Sequence, residues 1–147
     1  MTQRALIAGG SLAGLMSGLL LRKAGWEATI FERVAEDLSD RGGGITTQGP
    51  LWDVIASAGI DVSHKPGVRL HRRVVFDCDG SILDERPVEE IVTSWDTLYR
   101  LLLRAFPAER YHRGRSVEHV EQDRDGVTIR LADGTLVSGD LLIAADG

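Results

Sequence analysis

Apolar residues recur along this chain at two periods. Ala5-Leu6-Ile7-Ala8 is an unbroken apolar run, as expected of a strand buried on both faces. It runs into Gly9-Gly10-Ser11-Leu12-Ala13-Gly14 and then a helical stretch from about Leu12 to Ala24. A second strand pattern, Ala28-Thr29-Ile30-Phe31, ends on Glu32. Pro50 and Gly59 bracket a helix from about Leu51 to Ala58. From Arg69 to Asp84 the pattern is β-like, with a hairpin signal at Asp79-Gly80. Asp96 reads as the N-cap of a helix reaching Ala105, with an apolar stripe of Leu98, Leu101, Leu102 and Ala105. Val117 to Val137 predicts a meander, alternating through Val127-Thr128-Ile129-Arg130-Leu131 and turning at Asp133-Gly134. Leu141 to Ala145 is a last strand, apolar on both faces as a central parallel strand should be, and Asp146-Gly147 follows it.

Strand, glycine turn, helix and strand form the layout of a dinucleotide-binding βαβ unit. Gly9 can adopt the backbone angles of a tight turn, and Gly14 lets the helix pack closely on the strand. Between them, N–H groups at the helix start point at a pyrophosphate, whose charge the helix dipole favours by roughly 0.3–1 kcal/mol. Ser11 replaces the middle glycine of G-x-G-x-x-G, a mild departure because serine is small and can donate to a phosphate. Glu32 lies 18 residues after Gly14, close to the ~20 expected for the acid that holds a ribose 2′-hydroxyl. A carboxylate there repels a 2′-phosphate, so the adenosine half is FAD- or NAD-like rather than NADP-like.

A competing reading is a signal peptide or membrane helix. Ala5 to Leu21 is uncharged, and Gly10, Gly14 and Gly18 have small-xxx-small spacing. The run is only 17 residues long, holds four glycines and lacks an A-x-A-like cleavage site. A β-branched strand follows it at once.

The remaining composition narrows the class. A length of 147 residues suits one domain. A net charge of −5 argues against a general nucleic-acid binder. Cys78 is the only cysteine, which excludes an internal disulfide and suits a reducing, cytoplasmic setting. It reads as a small buried or turn residue. His64, His71, His112 and His119 lack metal-ligand spacing, and no Ser/His/Asp constellation or separate catalytic base stands out.

Five segments in order resemble the N-terminal part of single-component FAD-dependent aromatic-ring hydroxylases, the para-hydroxybenzoate hydroxylase class. They are Gly9-Gly10-Ser11-Leu12-Ala13-Gly14, Phe31-Glu32-Arg33, Arg41-Gly42-Gly43-Gly44-Ile45, Thr93-Ser94-Trp95-Asp96-Thr97-Leu98-Tyr99 and Gly139-Asp140-Leu141-Leu142-Ile143-Ala144-Ala145-Asp146-Gly147. The likeness is nearest to members that act on hydroxylated pyridines. It implies an α/β fold: a Rossmann-like FAD-binding βαβ unit with a parallel sheet, a three-stranded β-meander and part of an inserted substrate-domain sheet. Residues 1–147 would form an incomplete FAD-binding domain, with 67–95 at the start of the substrate-binding sheet.

The resemblance also implies site roles. Backbone from Ser11 through Leu12 to Ala13 holds the FAD pyrophosphate. Glu32 binds the adenosine ribose, with Arg33 beside the adenine. Arg41 and the glycines after it, Gly44 included, lie along the flavin. Val117 meets adenine through its main chain, and Asp146 serves both FAD and the nicotinamide donor. Many relatives carry an arginine where Trp95 stands. Trp95 is then a core aromatic or faces flavin or substrate, and Arg100, one turn on, is a candidate for the missing charge. The implied partners are O2, NADH or NADPH as electron donor, and a small aromatic or heteroaromatic substrate, with no membrane span; a homodimer is open for the longer protein.

The family's second FAD motif follows the Asp-Gly segment, so the chain is expected to be truncated or cropped. On its own it should be poorly soluble, weak in flavin binding or without flavin, and inactive as a hydroxylase. Two alternatives stay open: a stand-alone nucleotide-binding remnant without catalysis, and the N-terminal part of another FAD oxidoreductase of the same fold. The meander before Asp-Gly favours a hydroxylase over the latter.

Overall fold

A computed structural model describes residues 2–39 and 42–147. Four parallel strands form the central sheet: β1 (Arg4–Ala8), β2 (Glu27–Glu32), β6 (Tyr111–Arg113) and β10 (Leu141–Ala144), in the order β10-β1-β2-β6. Helix α1 (Leu12–Lys23) connects β1 to β2. The unbroken apolar run of β1 follows from its two covered faces. Ala5 and Ile7 join a core with Leu15 and Leu19 of α1 and Leu98, Tyr99 and Leu102 of a later helix. Leu6 and Phe31 pack on the opposite side against Val127, Ile129 and Leu131. Residues 5–21 are therefore a strand, a turn and part of a helix, not one continuous helix. Among the described residues, no helix is long and apolar enough to cross a membrane.

The second apolar layer is the expected meander. Strands β7 (Val117–Gln122), β8 (Val127–Leu131) and β9 (Leu136–Gly139) are antiparallel in sequence order. A third sheet, β3-β5-β4, is also antiparallel. It comprises β3 (Gly44–Thr47), β4 (Val68–Phe76) and β5 (Ile82–Ser94). Helix α2 (Gly49–Ser57) follows β3 and buries Trp52 and Ile55. The turn between β4 and β5 is closed by Asp77 accepting from Gly80 and by the Asp77 N–H donating to Ser81. Gly80 takes φ +87° there, a conformation suited to glycine. Cys78 lies exposed in this turn.

Several boundaries differ from the pattern. β5 continues ten residues past Asp84, through Pro87, to Ser94. Pro87 is tolerated because it sits at the bulge between the Leu70 and Arg72 registers. The last long helix, α3 (Trp95–Ala105), is capped by Ser94 rather than Asp96: Ser94 Oγ accepts from the Thr97 N–H at 3.0 Å. Asp96 instead lies in the first turn, where the dipole favours a carboxylate. Tyr99 replaces Ala105 in the buried stripe of α3, which a simple aliphatic count does not anticipate. The short strands β3 and β6 fall outside the predicted set, because three or four residues carry too little periodicity. β10 occupies a sheet edge and is only half-buried, although its composition predicts a central strand.

Candidate functional site

The carboxyl ends of β1 and β2 meet the glycine turn at one side of the sheet, the usual ligand position of an open α/β sheet. Gly9 has φ +100°, and a Cβ there would lie 2.4 Å from the Ala145 carbonyl oxygen. Side-chain-free backbone is thus required twice over, by conformation and by the approach of the chain after β10. A Cβ on Gly14 would lie 1.9 Å from the Gly9 carbonyl oxygen. One on Gly18 would meet Phe106 at 2.7 Å, so the small-residue spacing serves internal packing.

The start of α1 is open to an anion. Ser11 occupies the N-cap but makes no side-chain capping hydrogen bond, and the first turn has no acidic residue. Its orphan N–H groups, those of Leu12, Ala13 and Gly14 among them, satisfy the physical requirement of a phosphate site. A cavity of about 210 Å³ opens beside it, lined by Gly9, Ser11, Phe31, Glu32, Arg33, Ser116, Val117 and Asp146 among others. It falls below the roughly 300–1,000 Å³ of a pocket that encloses a whole drug-sized ligand. That volume suits one end of a dinucleotide. A larger groove of about 660 Å³ near the meander is lined by Glu121, Asp123, Asp125 and Asp140, with Arg4 the one lining cation among the described residues. Such an acidic wall repels phosphate, so chemistry rather than volume selects the smaller cavity.

Glu32 is buried, and each of its carboxylate oxygens accepts from one backbone N–H. Its Oε2 accepts from the Gly10 N–H at 2.7 Å and its Oε1 from the Val34 N–H at 2.9 Å. Ionised carboxylate oxygens offer about four lone-pair sites. The carboxylate can therefore hold the turn and still accept from ribose hydroxyls. On the far side of the turn, the Tyr111 hydroxyl donates to the Gly10 carbonyl at 2.7 Å. Burial, and then the hydroxyl of Tyr99, push the Tyr111 phenol far above its ordinary pKa, so it stays a proton donor. The pattern of the sequence carries no signal for Tyr111; its place follows from the register that sets it opposite Ile30.

The structure brings Gly9, Ser11, Glu32, Arg33, Val117 and Asp146 to one cavity, with Leu12, Ala13 and Gly14 at its helix. Phe31 and Ser116 also line it and are additional to the sequence-derived set. Gly44 lies elsewhere: it begins β3 and pairs with Ser94. Arg41 lies outside the described residues. Trp95 stacks on Tyr99 at 4.9 Å, and a Cβ on Gly42 would lie 2.9 Å from its Cγ, which gives it a packing role. Arg100 is ion-paired with Asp96 one turn earlier. His71 and His119 lie beside Glu89 and Glu121 on exposed strands, and His112 packs on Phe31. Among the described residues, no group of three His, Cys, Asp or Glu side chains gathers as a metal site.

Comparison with known proteins places the chain among flavoproteins. The chain is 32% identical over 146 residues to 2,6-dihydroxypyridine 3-monooxygenase of Paenarthrobacter nicotinovorans, covering 99% of this chain and 37% of that protein. It is 32% identical over 152 residues to Aurachin C monooxygenase/isomerase of Stigmatella aurantiaca, covering 97% and 39%. The solved 2,6-dihydroxypyridine-3-hydroxylase from Arthrobacter nicotinovorans superposes with a TM-score of 0.88 at 32% identity, over all of this chain and 37% of that one. Klebsiella pneumoniae HpxO, complexed with FAD and uric acid, gives 0.82 at 26% identity, over 99% and 39%. The chain thus spans less than half the length of these relatives. The family model for the FAD binding domain matches residues 2–147, and the chain belongs to that family.

Proposed function

We propose that this chain is the FAD-binding portion of a flavin-dependent monooxygenase that hydroxylates an aromatic or heteroaromatic ring with O2 and NADH or NADPH. The observation that carries the reading is the single cavity joining the glycine turn, Glu32, Arg33, Val117 and Asp146. In it, the helix-start N–H groups of Ser11, Leu12 and Ala13 bind the pyrophosphate, and Gly9 and Gly14 keep the turn tight. Glu32 accepts from the adenosine ribose, Arg33 lies beside the adenine, and Val117 meets it through backbone. Asp146, which lines the same cavity, serves both FAD and the nicotinamide donor. Arg41 and Gly44 belong to the flavin side. FAD supplies the redox and oxygen chemistry when bound, while the protein contributes position, electrostatics and exclusion of water. The identities of 32% to a dihydroxypyridine monooxygenase and of 26% to a protein complexed with uric acid support an electron-rich heteroaromatic substrate.

Residues 67–95 are assigned to the start of the substrate-binding sheet. By themselves the 147 residues are proposed to hold the adenosine end of FAD, weakly, without ring hydroxylation. Titration of the chain with FAD and with ADP, read by calorimetry, tests the site; both are expected to bind, and absence of both refutes it. Substrate-stimulated NAD(P)H oxidation with 2,6-dihydroxypyridine as probe is expected to be absent in this chain. Turnover by it would overturn the inactivity proposal.

A further inference from the structure

The turn that faces the diphosphate has no local support of the usual kind, because Ser11 makes no side-chain cap. Beside the Gly9 N–H bond to the Phe31 carbonyl, two distant residues grip one residue of the turn from both sides. Glu32 accepts from the Gly10 N–H, and Tyr111, 101 residues away in sequence, donates to the Gly10 carbonyl. Both grips lie on one strand pair, since β6 is registered on β2 with Ile30 opposite Tyr111 and Glu32 opposite Arg113. Tyr111 is itself held. The Tyr99 hydroxyl lies 3.4 Å from it, and Tyr99 is fully buried and stacked on Trp95. With its single proton committed to the shorter bond at Gly10, Tyr111 is the acceptor from Tyr99. Contact is also steric: a Cβ on Gly10 would lie 2.2 Å from the Tyr111 hydroxyl oxygen. Gly10 is not among the glycines with positive φ, so its backbone accepts alanine, and the three heavy atoms nearest to such a Cβ all belong to Tyr111.

We infer that Tyr111 is a positioning residue for diphosphate binding: without lining the cavity, it fixes the Gly10 peptide so that the N–H groups at the start of α1 converge on the ligand. This rests on the FAD-binding reading above and adds to it a residue outside the cavity. The Glu32 grip has a further consequence. The Gly10 N–H is spent on a carboxylate, so the diphosphate must be met by the amides that follow it.

The test uses ADP and FAD as probes, with calorimetric affinity and amide hydrogen exchange at equal ADP occupancy. Tyr111→Phe keeps the ring and removes the proton. It is expected to weaken both ligands about three- to tenfold, the loss typical of one hydrogen bond. Exchange over residues 9–14 should rise by a similar factor while residues 117–122 exchange as in the unmodified chain. Unchanged affinity and exchange overturn the inference, and so does equal loosening of both segments, which marks a merely structural role. Gly10→Ala alone should abolish binding, yet cost little more when added to Tyr111→Val. Equal harm in both backgrounds also overturns it. If the unmodified chain binds neither probe, the FAD-binding reading itself fails, and this inference with it.

Discussion

The glycine cradle and the β4–β5 ribbon are built from opposite materials. In the cradle, backbone meets backbone: Gly9 abuts the Ala145 carbonyl, Gly14 abuts the Gly9 carbonyl, and Glu32 is buried on two N–H groups. In the ribbon, long side chains meet across strands in water. Arg72 pairs with Glu85, Arg73 with Glu90, and Arg69 and His71 with Glu89. The large apolar residues beside its turn, Val75, Phe76, Ile82 and Leu83, are exposed. The cradle's geometry is over-determined by contacts that no side chain can adjust. The ribbon tolerates change because water replaces whatever is lost. Substitution effects should therefore differ between them by several kcal/mol.

The largest effect is expected at Gly14. In Gly14→Val the new Cβ would sit 1.9 Å from a main-chain oxygen, which cannot rotate aside. α1 must lift from β1 and uncover Ile7 and Leu15. A destabilisation beyond about 4 kcal/mol is expected, the exceptional range for single substitutions. Denaturant unfolding or the yield of folded protein checks it. A valine variant that unfolds at the parent's midpoint would show that the helix packs less closely than described.

How legible each region was follows the same division. The constraints on Gly9, Gly14 and Glu32 are local, set by backbone angles and by spacing along one βαβ unit, so residue types alone announce them. The parallel sheet, α1 and the meander were readable for a related reason: Leu6 and Ile7 report two covered faces, and Val127, Ile129 and Leu131 report one. Tyr111 was not readable. Its role exists only because β6 lies beside β2, a pairing between distant parts of the chain. The extent of β5 was hidden by Pro87 and by Glu85, Glu89 and Glu90, residues that disfavour a strand until cross-strand arginines and a bulge accommodate them. The glycines after Arg41 announce a close backbone approach, but the pairing of Gly44 with Ser94 depends on a strand fifty residues on and was not readable.

Glu32 gives the intermediate effect and separates two roles of one carboxylate. Glu32→Ala deprives the Gly10 and Val34 N–H groups of their acceptor and removes the ribose acceptor as well. A bond to a charged group contributes about 1.5–3 kcal/mol, so FAD affinity should fall at least tenfold and the thermal midpoint should drop too. Glu32→Gln should rescue little. Its amide presents one oxygen and one NH2, so one backbone N–H then faces a donor. If Gln restores both the midpoint and the affinity, the carboxylate does not hold both amides, and the cradle is less constrained than the ribbon comparison requires.

The smallest effect belongs to the ribbon and is its sharpest test. Arg73 and Glu90 approach to 2.7 Å, with side chains 43% and 25% exposed. A partly solvated pair gains modest Coulomb energy and loses side-chain freedom, which leaves about 0.2–1 kcal/mol. A double-mutant cycle with Arg73→Ala and Glu90→Ala should return a coupling in that range. It should shrink as salt is raised, because exposed charges are screened. Neither single variant should alter ADP affinity, since neither residue lines the cradle. A coupling above about 3 kcal/mol that is insensitive to salt would be the signature of a buried pair. The ribbon would then be enclosed on that face, and the contrast with the cradle would be one of chemistry alone rather than of exposure.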